Sequence, residues 1–157
     1  MTDQEAFVRL SSVLTGLADG ELPTADQQDV TGATVKLSDV YMQRLRAAYP
    51  VEFDELLAAW LSVQADPDPQ ARLFEKLSGT DAAGLRLRVA SRQVVKIWCL
   101  STIDDPSAQL AQDGKSVAQL GGDLGQFQNG AIWKLIGAPV QGYSNFPHGY
   151  WQEKPKT

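Results

Sequence analysis

The chain has 157 residues, of which 43% are hydrophobic and 21% charged, and its formal net charge is −5. Length and composition predict one globular domain with a sizeable core. The acidic balance argues against nucleic-acid binding, because phosphate contacts need clustered Lys and Arg and the longest basic grouping, Arg86, Arg88 and Arg92, is diluted along a predicted helix.

Thr2-Asp3-Gln4-Glu5 is a capping-box pattern, and Phe7, Leu10, Val13 and Leu14 follow at helical spacing before Gly16. A first helix is predicted over Asp3 to Thr15. Asp19 to Lys36 is polar, holds Gly20, Pro23 and Gly32, and reads as a long connector. Ser38 is then a candidate N-cap for a second helix carrying Val40, Tyr41, Leu45 and Ala48 and ending before Pro50. Phe53, Leu56, Leu57, Trp60 and Leu61 mark a third, from about Val51 to Gln64.

Asp66-Pro67-Asp68-Pro69 breaks that helix, with Asp68 as the next cap and Pro69 at the first helical position. Leu73, Phe74 and Leu77 form the expected buried side of the short fourth helix, which Gly79 ends. Thr80 or Asp81 caps a fifth, running to about Thr102. Leu85, Val89, Val95 and Trp98, flanked by Leu87, Val94, Ile97 and Leu100, make its second half apolar nearly all round, so it should be central. Cys99, the single cysteine, permits no internal disulfide, structural zinc site or iron–sulfur cluster. Its apolar neighbours make it a small buried hydrophobe, with pairing to a cysteine of another subunit as the alternative. Trp98 and Trp133 read as core, and Trp60 fits core or surface. Asp104-Asp105-Pro106 stops the fifth helix, and Ser107 to Gly125 reads as a polar surface loop.

The expected fold is therefore all-α, a single helical domain of five or six helices over residues 1–137 with an extended, irregular C-terminal arm over residues 138–157. That arm sets Tyr143, Phe146, Tyr150 and Trp151 among Gly142, Gly149, Pro139, Pro147 and Pro155. Pro and Gly oppose regular structure there, yet the four aromatics carry large apolar areas that need burial. They either fold back on the domain or lie on a partner. Aromatics are common interface anchors and a stiff arm loses little entropy on docking, which favours the partner.

Catalytic parts are few. His148 is a candidate acid or base by its reference pKa, but no partner or pocket accompanies it in the sequence, so an interface role is the stronger reading. Asp104 and Asp105, a paired carboxylate beside Pro106, read first as a helix stop; their place near the negative end of the helix dipole is slightly unfavourable, which is compatible with a salt bridge to another chain. Gly121-Gly122-Asp123-Leu124-Gly125 lacks the spacing and preceding strand of a phosphate loop. Asp26, Asp29, Asp66, Asp68, Asp104 and Asp105 match no EF-hand, and Ser11, Ser12 and Ser38 lie in no GxSxG elbow. No catalytic, cofactor-binding or metal-binding residue is assigned within this chain. No apolar run approaches the ~18 residues of a membrane span, so no direct membrane insertion is expected. The MTDQEAF start carries no export signal.

Three stretches carry a resemblance. They are Phe7 to Gly16 (FVRLSSVLTG), Val95 to Asp104 (VKIWCLSTID) and Phe146 to Pro155 (FPHGYWQEKP). In this order they resemble the small (γ) subunit of bacterial FAD-dependent sugar and polyol dehydrogenases, the sorbitol, fructose and glucose dehydrogenase complexes. Their patterns are F-x-x-L-S-x-x-L-T-G, W-x-x-x-hydrophobic-D and P-x-G-[YF]-W-x-x-K-P. The resemblance implies an all-helical, non-catalytic subunit that embraces a large flavoprotein of the glucose–methanol–choline type and is needed for its folding and export. FAD is then expected in the partner, and a cytochrome c subunit often takes the electrons. It also implies a periplasmic location, reached through a twin-arginine signal; this sequence shows none, so either such a signal has been trimmed or this member works without export, in the cytoplasm. Asp105 to Gly125 is longer and more polar than the family's usual connector. The implied interface is Tyr143, Phe146, Pro147, His148, Gly149, Tyr150, Trp151, Lys154 and Pro155. Two other readings are a free-standing helical adaptor or chaperone and a small enzyme using His148.

Overall fold

Thr2 opens the first helix as its sequence requires: its hydroxyl accepts from the Glu5 N–H at 3.2 Å, and the Glu5 carboxylate accepts from the Thr2 N–H at 2.8 Å. In the computed structural model the described residues are 2–18, 21–22, 26–28, 34–107, 118–122, 126 and 130–136. Helix α1 spans Asp3–Thr15 and ends at Gly16, whose φ of 74° is the left-handed conformation a helix C-terminus favours in glycine. The expected arm, 138–157, with all nine of its interface residues, lies outside the described residues.

The described residues are mostly helical. Helices α2 (Leu37–Ala48), α3 (Pro50–Val63), α4 (Pro69–Leu77), α5 (Ala82–Leu100) and α6 (Ala131–Leu135) follow α1. Asp68 and Asp81 cap α4 and α5, each accepting a backbone N–H at 2.9 Å. Two small antiparallel hairpins stand where connectors were expected. Strand β1 (Asp26–Gln28) pairs with β2 (Thr34–Lys36), and β3 (Thr102–Asp104) pairs with β4 (Gln119–Gly121), Ile103 facing Leu120. Three-residue strands are too short for a period-two pattern to stand out in sequence.

Two helix ends differ from expectation. Lys36, not Ser38, occupies the N-cap position of α2, because β2 runs directly into the helix. Ser38 is buried instead, and its hydroxyl accepts from the Gln4 side chain at 3.1 Å, joining α2 to α1. At the other end α5 stops at Leu100, since Ser101 turns to φ 57° and hands the chain to β3.

Helix α5 is central, touching α1, α2, α3, α4, α6 and β3. Its Trp98 is fully buried among rings from three other helices. Phe7 of α1 stacks on it at 5.9 Å, Tyr41 of α2 meets it edge-on at 5.1 Å, and Phe53 of α3 meets Phe7 edge-on at 5.6 Å. Trp60 is buried as well, so its place is the core. Trp133 and Cys99 are only half-buried, where core positions were expected. Phe74, Leu85 and Val89, also expected inside, are exposed. Leu73 and Leu77 lie one turn apart and use up the inward face of α4, which leaves Phe74, about 100° round the helix, outside.

Gly84 is where α5 meets the end of α4 most closely. A Cβ there would stand 2.2 Å from the Gly79 carbonyl oxygen. Arg88, one turn later, donates to the Leu77 carbonyl at 2.8 Å and to the Gly79 carbonyl, so the same helix closes the open end of α4. Gly→Ala inside a helix ordinarily stabilises by about 1 kcal/mol. Gly84→Ala should instead destabilise by a net ~2 kcal/mol, because the atoms it displaces are backbone. Urea unfolding followed by circular dichroism reads the sign directly.

Candidate functional site

The most connected polar cluster of the described residues lies where α2, the end of α5 and the β3–β4 hairpin converge. Tyr41 and Arg44 sit one turn apart on α2 and point to this junction. The Tyr41 hydroxyl and Ser101 Oγ are 2.6 Å apart, and Ser101 Oγ also donates to the Gln126 carbonyl. Arg44 Nη1 donates to the Ser101 carbonyl at 3.0 Å and to Gln126 Oε1 at 2.8 Å, while Nη2 donates to the Leu120 carbonyl at 2.9 Å. The Gly122 N–H donates to the Ser101 carbonyl at 2.9 Å. A planar guanidinium supplies this fork of donors in fixed directions, which a lysine does not. Gly122 fits because a Cβ there would stand 2.4 Å from Gln126 Oε1 and 3.0 Å from Arg44 Nη1.

A second cluster fixes the other strand. Gln93 of α5 pairs twice with Asp104: its Nε2 donates to Oδ2 at 2.9 Å, and its Oε1 accepts from the Asp104 N–H at 2.8 Å. Lys96 forms a close ion pair with the other carboxylate oxygen of Asp104. Partial burial raises the Asp104 pKa, but bonds from Lys96 and Gln93 and the charge of Arg92 outweigh it and hold the carboxyl below its usual value. Asp104 therefore pairs within its own chain. Asp105 accepts from the Ser107 hydroxyl at 2.7 Å and N–H at 2.9 Å, which lowers its pKa. It closes the turn after β3.

Tyr49 completes the cluster, its hydroxyl donating to the Asp104 carbonyl at 2.8 Å. Burial, then the charges of Asp104, Glu52 and Asp105, push its pKa up to about 12 from 10.0. A raised folded pKa leaves its stabilising effect intact below pH 10 and removes it as pH rises from about 10 to about 12. The wild-type chain should lose stability over that window, and Tyr49→Phe should flatten the profile there. Thermal melts at half-unit pH intervals measure it.

Both clusters hold the β3–β4 hairpin to the helical body; each polar group named is engaged by another. Among the described residues no three His, Cys, Asp or Glu side chains stand together as a metal site, and no helix is long and apolar enough to cross a membrane. Burial pushes the Cys99 thiol up, so it is protonated at neutral pH. His148 and the rest of the expected interface are outside the described residues, as is Asp123 to Gly125 of the glycine-rich stretch. Sequence reasoning missed Tyr41, Arg44 and Ser101. The usable signal was a tyrosine and an arginine at i and i+3 on a helix whose other inward positions are Leu37, Ser38 and Leu45.

Comparison with family models, with curated proteins and with solved structures finds no match.

Proposed function

We propose that the chain is the non-catalytic small subunit of a flavin-dependent sugar or polyol dehydrogenase, binding, stabilising and helping to mature the FAD-containing catalytic subunit. The observation that carries this reading is the order of the three motifs along the chain, Phe7 to Gly16, Val95 to Asp104 and Phe146 to Pro155. Several residues of the first two have a scaffold role. Phe7 and Trp98 stack in the core, the Ser11 hydroxyl donates to the Phe7 carbonyl at 2.7 Å, and Asp104 anchors β3 through Gln93 and Lys96. With those residues occupied in building the helical body, the aromatic third motif is assigned to the flavoprotein partner. Tyr143 just before it and its own Phe146, Tyr150 and Trp151 are the anchors, and His148 is a contact residue there. The FAD, the substrate pocket and any electron transfer to a cytochrome c belong to the other subunits.

Co-expression with the reading frame that neighbours this gene is the test. A stable yellow flavoprotein that oxidises sugars or polyols should form only when this chain is present, and this chain alone should show no flavin absorbance and no turnover. A flavoprotein equally stable and active without the chain overturns the reading. An adjacent frame with no dinucleotide fingerprint favours a general helical adaptor.

A further inference from the structure

Helix α5 has a charge character opposite to that of the chain. Arg86, Arg88, Arg92 and Lys96 lie on this helix with no Asp or Glu among its residues, whereas the whole chain has 19 acidic and 14 basic residues. Three of these cations are already engaged. Arg86 pairs with Glu55 at 2.7 Å, Arg88 holds the α4 carbonyls and Lys96 holds Asp104. Arg92 is exposed and makes no ion pair among the described residues.

Beside Arg92 a surface cleft of about 280 Å³ runs between the end of α1, α4 and α5. Its floor is apolar, from Leu14, Phe74, Leu77 and Val95, and Arg88, Ser91 and Arg92 form its edge. Phe74 leaves 41% of its surface in water here, although α4 has only nine residues with which to cover it. The apolar character continues along α5 through the exposed Leu85 and Val89.

We propose that this cleft docks an acidic segment of a partner protein whose large apolar side chains cover Phe74 and Val95 while its carboxylates meet Arg92 and Arg88. Charge decides the occupant. A neutral or basic apolar segment would strip water from Arg92 without returning a counter-charge, which costs more than a small apolar contact gains. A segment carrying both kinds of side chain satisfies floor and edge together. The surface is built from α1, α4 and α5 and not from the arm, so it stands whether or not the partner is a flavoprotein.

The test uses the full ¹⁵N-labelled chain and two synthetic amphipathic peptides. One has Leu and Phe at helical spacing with Glu between them, and the other replaces every Glu by Gln. The acidic peptide should give saturable shifts at the Phe74, Ser91 and Val95 amides and bind about tenfold tighter than the Gln peptide, with affinity falling as salt rises. Arg92→Glu should weaken it about tenfold, and Phe74→Ser similarly, while Arg72→Glu on the far side of α4 changes nothing. Arg92 is exposed, so that variant keeps the test open if Phe74→Ser fails to fold. Equal binding of both peptides, indifference to Arg92→Glu, or no saturable shift overturns the proposal. So does a shift of the same amides with protein concentration alone, which would assign the face to a second copy of this chain.

Discussion

Trp98→Ala should lower the unfolding free energy by about 3–5 kcal/mol, a large share of the stability of an ordinary domain. Trp98 is fully buried, and its ring is the surface on which Phe7 and Tyr41 pack. Removing it opens a cavity at the meeting point of α1, α2 and α5, where rigid helices on several sides prevent full collapse. Trp98→Phe should cost much less, under about 1.5 kcal/mol, because it keeps most of the ring area. It also deletes an indole N–H that has no hydrogen-bond partner among the described residues, and that loss is favourable. Denaturation midpoints by circular dichroism separate the variants. A Trp98→Ala chain as stable as wild type would mean that the aromatic cluster does not organise the core.

Arg44→Met should cost about 1.5–3 kcal/mol, the range for hydrogen bonds made by a charged group, toward the lower end because the Leu120 carbonyl is open to water. It takes a donor from the Leu120 carbonyl and from Gln126 Oε1, while the Ser101 carbonyl keeps the Gly122 N–H. The damage should therefore be local. Hydrogen exchange should quicken at the β3–β4 amides and stay slow in the middle of α5. Arg44→Lys should not rescue it, because an ammonium has no fixed fork to reach both sides of the junction. Uniform exchange across the chain would show that Arg44 does not pin the hairpin.

The helices were legible because their signals are local. Thr2, Asp68 and Asp81 each announce a start by a side chain that reaches the next turn, and Gly16 announces a stop by a backbone angle. The centrality of α5 was legible from its apolar circumference. What stayed hidden depends on distant residues. Ser101 adopts a left-handed angle because Tyr41 and Gln126, 60 and 25 residues away, hold its hydroxyl. Asp104 looks like a helix stop in sequence, and only the fold brings Gln93 and Lys96 across to it. Phe74, Leu85 and Val89 were read as inward because hydrophobic spacing alone does not say which of two adjacent apolar rows meets a neighbour. Of the site, the motif residues Phe7, Trp98 and Asp104 were found as a pattern, and their scaffold role came from the contacts.

The proposal that this chain exists to hold a larger flavin subunit is tested most directly by a pull-down. Tagged full-length chain and a version ending at Asn145 are each co-expressed with the adjacent reading frame, and bound flavin is read by absorbance after purification. The full chain should recover the flavoprotein and the shortened chain should recover almost none. Recovery in full yield by the shortened chain would contradict the assignment of Phe146, Tyr150 and Trp151 to the interface, and recovery by neither would contradict the partnership itself.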